Sequence, residues 1–278
     1  MSASLLRENH RTIRLAQLPR STARFPLATM NFTVSVVVPT RNEARNLPYV
    51  LPRIPDWVHE IILVDGHSTD DTIEVARRLQ PDIRVMTQRG KGKGAALRTG
   101  FAAATGDIIV MLDADGSTDP GEILSFVTAL LAGADFAKGS RFIHGGGSSD
   151  MTLIRRLGNW GLLALVRLAF GGRYSDLCYG YNAFWRHHLP KLHLDADGFE
   201  IETVMNIRAL TSGLKITEVA SFEADRRFGE SNLRSIPDGW RILKTIAREW
   251  RAGRASNRRS AHLPQAYAPQ ALSLEEHI

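Results

Sequence analysis

Gly106-Asp107-Ile108-Ile109-Val110-Met111-Leu112-Asp113-Ala114-Asp115-Gly116-Ser117-Thr118-Asp119-Pro120 is the stretch on which the fold turns. Its five consecutive apolar residues are too few for a helix and lie between Gly-Asp and Asp-Gly, so they predict a buried strand of a parallel sheet. Ligand crevices of open α/β sheets lie beyond the carboxyl ends of the strands, which delivers Asp113 and Asp115 to a site. With Ala114 between them, extended chain points both carboxylates to one side. Two neighbouring acids repel each other and favour a cation. Hard oxygen ligands suit Mg2+ or Mn2+, and an ion shared with phosphates needs only one or two protein carboxylates. The alternative is a plain turn, with Asp119 capping a helix that begins at Pro120.

Working outward, Val34-Ser35-Val36-Val37-Val38-Pro39 is a β-branched run ended by proline and predicts the first buried strand. A helix is expected within 44–51, and Glu60-Ile61-Ile62-Leu63-Val64-Asp65 predicts a second strand ending in an acid. Asp71 and Glu74 have capping-box spacing for a helix to Leu79. A short strand at 83–86, a glycine-rich turn (Gly90-Lys91-Gly92-Lys93-Gly94) and a small-residue helix over 95–104 precede the aspartate strand. After it come an amphipathic helix over 120–131 and a strand over 135–141 that closes on Arg141. Strands alternating with helices predict an α/β fold: one domain with a parallel sheet flanked by helices.

The second half is less regular. Gly145–Ser149 reads as a surface connector or a lid hinge. The apolar run 153–170 is interrupted by Arg155, Arg156, Asn159 and Arg167, which predicts an interfacial or core helix and no membrane span. An aromatic turn at 179–182 leads into a strand, a helix opens at 198–202, a last strand covers 215–219, and a basic amphipathic helix covers 237–250.

The ends differ in composition from the body. Residues 1–30 carry Arg7, Arg11, Arg14, Arg20 and Arg24 with little apolar periodicity, which predicts a disordered basic arm, and Met30 offers an alternative start. The folded domain is expected over 31–250 and a disordered tail over 251–278. A net charge of +6 over 278 residues is compatible with nucleic acid, but the arginines concentrate outside the sheet segments. Anionic sugar nucleotides or an anionic membrane surface account for the charge, and no nucleic-acid partner is expected. The single cysteine, Cys178, excludes an internal disulfide and a cysteine zinc site. It fits a reducing cytoplasm, and a basic peripheral protein would sit at the inner face of the cell membrane. No secretory signal is expected, since the arginine-rich stretch 1–30 lacks an apolar segment.

Residues at the carboxyl ends of neighbouring strands form the candidate site: Pro39, Thr40, Arg41 and Glu43 after the first strand, Asp65 after the second, then Asp113, Ala114 and Asp115. A nucleotide fits such a crevice, with Asp65 accepting from a base or ribose hydroxyl or merely closing its turn, and with the acid pair holding a metal and diphosphate. The Gly90–Gly94 turn is not a Walker loop, but its glycines permit close backbone approach and Lys93 can meet a phosphate. Arg141 and Arg226 are candidate diphosphate clamps, since a guanidinium fork matches phosphate oxygens.

Taken together, Val34–Leu47, Ile62-Leu63-Val64-Asp65 with Ser68-Thr69-Asp70, Asp113-Ala114-Asp115, Gly139-Ser140-Arg141-Phe142 and Asp225-Arg226-Arg227-Phe228-Gly229-Glu230-Ser231 resemble a family-2 glycosyltransferase of the GT-A fold, nearest the dolichyl- or polyprenyl-phosphate sugar transferases. The resemblance spans about 34–246 and implies a mixed, mostly parallel sheet flanked by helices, with a Rossmann-like nucleotide-binding half. It implies that Asp65 binds the nucleoside, that Asp113 and Asp115 carry Mg2+ or Mn2+, and that Arg141 and Arg226 lie near the donor diphosphate and acceptor phosphate. Ser117, with Asp119 nearby, stands where the family often has a Gln metal ligand, and Asn232 stands where the subgroup commonly has Lys. Many relatives append transmembrane helices, and none is expected here.

The resemblance implies an inverting, metal-dependent transfer of a hexose from a UDP- or GDP-sugar to a polyprenyl phosphate. A phosphate monoester, with a second pKa near 6, is already dianionic at neutral pH and needs no general base. A soluble hydroxyl acceptor would need one, for which Glu200, Glu202, Asp176 and Asp197 are candidates, though the two glutamates also suit a helix first turn. A sugar-phosphate nucleotidyltransferase would show a glycine-rich signature after the first strand, where this chain has Pro39-Thr40-Arg41-Asn42. A non-enzymatic sugar-nucleotide sensor is disfavoured by the intact acid pair.

Overall fold

The computed structural model describes residues 32–149, 151–230 and 235–261. The expected basic arm, the end of the expected tail, Ser231 and Asn232 lie outside the described residues. Strands β1 (Val34–Thr40), β2 (Glu60–Asp65), β3 (Arg84–Thr87), β4 (Ile108–Met111), β5 (Phe136–Ser140), β7 (Asn182–Trp185) and β8 (Ile216–Ala220) form a seven-stranded sheet in the order β3-β2-β1-β4-β7-β5-β8. β1, β2, β3 and β4 are mutually parallel, as are β5 and β8, whereas β7 runs antiparallel to both β4 and β5. The chain steps outward from β1 to β3 and then returns to β4 on the other side of β1. This reversal opens a crevice between the carboxyl ends of β1 and β4.

The parallel strands are buried on both faces, which is why they read as continuous apolar runs. Val36, Val38, Leu63 and Val110 pack under α1 (Leu47–Val50), α2 (Thr72–Leu79) and α4 (Ile123–Leu131). Val37, Ile62, Val64 and Met111 pack under α3 (Lys93–Ala103), α6 (Leu189–Leu192) and α7 (Ile201–Thr211). Rings stitch β7 to its neighbours: Phe184 stacks on Phe136 and meets Phe101 edge-on, and Tyr181 stacks on Phe126. A third cluster joins Val166 of α5 (Leu153–Phe170) to Ile207 of α7 and to Ile242 and Ile246 of α8 (Ser235–Ala261).

Local readings changed in three places. The capping box at Asp71 does not form; the preceding Asp70 accepts from the Thr72 N–H at 3.2 Å and from the Ala44 N–H at 3.2 Å, tying the helix start to the loop after β1. Gly147 and Ser148 form a short strand β6, paired in parallel with β9 (Phe222–Glu223), so the expected hinge is tethered by a ladder. Finally, α8 runs on to Ala261 past the Trp250 expected to end it, so 251–261 of the expected tail are helical. Alanine and arginine there are good helix formers, and Arg254 lies over the Trp250 ring at 4.5 Å.

Candidate active site

The loop after β1 is held by the turn after β2. Asn42 adopts φ +57°, a left-handed conformation that asparagine tolerates. Its side-chain oxygen accepts from the Thr69 N–H at 2.8 Å, and its own N–H donates to Ser68 Oγ at 2.9 Å. The Glu43 N–H donates to Thr72 Oγ1 at 2.8 Å. Glu43 is thereby aimed inward, where Asn46 and Arg226 donate to its carboxylate. Burial raises the Glu43 pKa against the lowering pull of those two donors. Asp65 is buried and accepts from the Ser68 N–H at 3.1 Å, so its carboxylate closes the turn that in turn holds Asn42.

The aspartate stretch leaves the sheet at Met111 and turns, so Asp113 and Asp115 are not presented by extended chain as the alternation argument expected. They take separate partners. Lys93 Nζ lies 2.7 Å from Asp113 Oδ1, and Arg226 Nη1 lies 3.3 Å from Asp115 Oδ2. The other oxygen of Asp115 accepts from the Ser117 N–H at 3.0 Å and from its hydroxyl at 2.7 Å, so Ser117 orients the carboxylate. Asp119 is turned away: it accepts from the Gly121 N–H at 2.8 Å and pairs with Arg53 at 2.7 Å, as the capping alternative predicted.

These groups border a cleft of about 320 Å³. Pro39, Thr40, Arg41, Glu43, Lys93, Asp113, Ala114 and Asp115 all line it, as the sequence reading expected, and Asp65 does not. Gln88, Gly92, Ala96, Phe199 and Arg226 complete the wall. Arg41, Lys93 and Arg226 face Glu43, Asp113 and Asp115, so positive and negative side chains balance. A diphosphate entering this balanced cleft brings excess negative charge that a divalent cation would offset. Among the described residues no group of three or more His, Cys, Asp or Glu side chains could hold a metal alone. Two partly exposed carboxylates fit an ion that takes its remaining ligands from phosphate and water.

A second cleft of about 330 Å³ opens from the first, sharing Lys93, Asp113, Asp115, Phe199 and Arg226 with it. Its far wall is Arg141 beyond β5, Arg155, Asn159 and Leu162 on α5, Tyr179, and Ile242 on α8. Arg141 faces this cleft only. Its Nε donates to Asp176 at 2.7 Å, its Nη2 to Asp176 at 2.9 Å, and its Nη1 to Glu223 at 2.9 Å. Burial favours an uncharged Arg141, but Asp176 and Glu223 overcome that and hold it firmly protonated. Burial alone would raise the Asp176 carboxyl; Arg141 and the buried Lys138 reverse this and lower it.

The candidate bases fare differently. Asp176 is fully buried and bound to Arg141. Asp197 pairs with Arg98 at 2.6 Å on the outer side. Glu200 lines neither cleft; one oxygen accepts from its own loop at the Gly198 N–H, 3.1 Å away, and the other is buried without a partner. Glu202 does line the second cleft, but its carboxylate is 2.8 Å from Lys93 Nζ, and burial raises its pKa. No candidate therefore presents a free carboxylate to the junction of the clefts. Gln88, Phe199, Arg155 and Asn159 were missed by sequence reasoning. The spacing Arg155, Asn159, Leu162 places three of the lining residues on one helix face and was the signal for them.

A profile of glycosyl transferase family 2 matches 35–191. Polyprenol monophosphomannose synthase of Mycolicibacterium smegmatis is 34% identical over 212 residues, covering 71% of this chain and 80% of that protein. Undecaprenyl-phosphate mannosyltransferase of Micrococcus luteus is 30% identical, covering 72% and 87%. Among solved structures, glucosyl-3-phosphoglycerate synthase of Mycobacterium tuberculosis with Mn2+, UDP and phosphoglyceric acid superposes with a TM-score of 0.64 at 25% identity, covering 79% of each chain. The mixed sheet and the crevice at its switch point are those of a GT-A glycosyltransferase. This chain belongs to glycosyl transferase family 2.

Proposed function

We propose that this glycosyltransferase moves a hexose from a UDP- or GDP-sugar to a polyprenyl phosphate, with inversion at the anomeric carbon and with Mg2+ or Mn2+ bound at Asp113 and Asp115. The observation that carries the reading is the pair of clefts meeting at Lys93, Asp113, Asp115, Phe199 and Arg226. The first takes the nucleotide diphosphate, and the second takes the acceptor. Asp113 and Asp115 would hold the metal, which would supply positive charge where the nucleoside diphosphate departs. Arg226 adds a second positive group on the same side, and Ser117 keeps Asp115 oriented for it. Asp65 acts through the turn that fixes Asn42 and Glu43. Arg141 and Arg155 draw the acceptor phosphate toward the junction. A dianionic phosphate attacks without help from a base, which agrees with Glu202 being tied to Lys93 and Glu200 lying outside the clefts.

The outer face suits a lipid-borne acceptor. Leu153, Ile154, Leu157, Trp160 and Leu168 of α5 and Trp240 of α8 are exposed, among Arg155, Arg156, Arg167, Arg241 and Lys244. Aromatic and aliphatic side chains mixed with cations mark a surface that rests in an anionic membrane interface. Among the described residues no helix is long and apolar enough to cross a membrane. The test is sugar transfer to undecaprenyl phosphate in anionic vesicles, with the product anomer read by NMR. Transfer only to a soluble hydroxyl acceptor such as phosphoglyceric acid would overturn the acceptor assignment. An Asp115→Asn protein that keeps a Mn2+-dependent UDP thermal shift would overturn the metal assignment.

A further inference from the structure

Lys93 is held between two carboxylates from different parts of the fold. Its Nζ lies 2.7 Å from Asp113 Oδ1 and 2.8 Å from Glu202 Oε1. At the start of α3 the N–H groups of Gly94 and Ala95 donate to the Asp197 carbonyl at 2.8 and 3.2 Å, so α3 is fastened to the loop leading into α7. A third element closes the arrangement: a Cβ on Gly180 would stand 2.8 Å from Lys93 Nζ, 3.0 Å from Asp113 Oδ2 and 3.3 Å from Glu202 Oε1. The glycine of the aromatic turn at 179–182 leaves the space in which these three groups meet.

We propose that Glu202 is a positioning residue that, as the counter-charge of Lys93, sets how strongly Lys93 competes with a divalent cation for Asp113. The inference rests on the metal assignment of the proposed function. With Glu202 ionised, Lys93 and Glu202 form a neutral pair beside Asp113, and the ammonium has a second acceptor when a cation displaces it. Without the Glu202 carboxylate, Lys93 keeps one anionic partner, Asp113, and a full positive charge faces the incoming ion. The same link joins α7, which walls the second cleft, to the carboxylate of the first.

The experiment is titration of Mn2+ against the full chain without nucleotide, free Mn2+ being read by electron paramagnetic resonance, so that contacts of Lys93 with a diphosphate do not enter. Glu202→Gln keeps the volume and is expected to weaken Mn2+ at least tenfold, about 1.4 kcal/mol. Lys93→Met combined with Glu202→Gln removes competitor and counter-charge together and is expected to return the affinity to within threefold of wild type or tighter. A residue needed only for folding would not give this reversal. If wild type binds Mn2+ and Glu202→Gln stays within twofold of it, the inference fails while the metal assignment stands. It also fails if the double variant is as weak as the single one. Should Glu202→Gln alone not fold, wild type against the double variant decides, and a tenfold weaker double variant refutes the proposal. A wild-type protein that binds no Mn2+ removes both readings.

Discussion

Replacing Asp176 by Asn separates two roles that one carboxylate can have beside an acceptor. Asp176 is fully buried, and its oxygens accept from Arg141 Nε and Nη2 at 2.7 and 2.9 Å. Neutralising it leaves the Arg141 guanidinium, 11% exposed, with Glu223 as its one remaining carboxylate partner, and it removes a nearby negative charge from the buried Lys138. Breaking a buried pair by removing one partner costs roughly 3–5 kcal/mol; Asn retains one acceptor oxygen, so about 3 kcal/mol is expected. For a domain of this size that corresponds to a fall in Tm of roughly 6–12 °C, measurable by differential scanning calorimetry. With Arg141 no longer held, the acceptor KM should rise about tenfold, close to 1.4 kcal/mol, while kcat changes far less. If Asp176 were instead the general base of a hydroxyl acceptor, kcat would fall by a factor on the order of 100 or more. A Tm within 2 °C of wild type together with such a fall in kcat would refute the anchoring argument.

Other perturbations probe different parts of the same structure. Gly92 has φ +95°, and an added Cβ would stand 2.3 Å from the Asp197 carbonyl oxygen, so Gly92→Ala should loosen the start of α3 and weaken UDP with Mn2+ at least tenfold by calorimetry. Burial alone would raise the Glu60 pKa, yet bonds from Ser35, Thr105 and Arg84 bring it from 4.5 down to about 2. Its folded value is depressed, so its stabilisation is present above pH 4.5 and is lost as pH falls toward 2. After allowance for screening, Glu60→Gln should cost about 2 kcal/mol in neutral urea unfolding, and the gap to wild type should close over that acid range; a constant gap would refute the linkage. Leu157 and Leu168 are 59% and 86% exposed, so Leu157→Glu with Leu168→Glu should leave Tm within about 2 °C while cutting cosedimentation with anionic vesicles at least tenfold.

The strands that carry the site were legible because each is a local pattern. Val34–Val38, Ile61–Val64 and Ile108–Met111 are apolar on both faces, and in a parallel sheet that demands burial whatever the rest of the chain does. Turn chemistry at their ends then marked Pro39, Thr40, Arg41, Glu43, Asp65, Asp113, Ala114 and Asp115 as site residues, and the structure puts every one except Asp65 on the cleft wall. The antiparallel insertion of β7 between β4 and β5 was not legible, since strand direction depends on where the chain returns and leaves no trace in a four-residue segment.

Partner choice among charged groups was also decided by tertiary structure. Glu202 read equally well as a helix first-turn acid or a base, until α3 brought Lys93 to within 2.8 Å of it. Arg141 read as a phosphate clamp with no partner named; the 175–179 turn supplied one, Asp176, which holds the guanidinium at the second cleft. Asp113 and Asp115 looked like one acid pair, but the turn after Met111 gave them to different cations. Sequence by itself marked most of the residues that reach the crevice, Gln88 and Phe199 excepted, because hydrophobic periodicity and turn propensity act between neighbours along the chain. Only the folded structure decided which charges face one another, because an ion pair is set by distance in space, and the residues of these pairs are 20, 35, 109 and 111 positions apart.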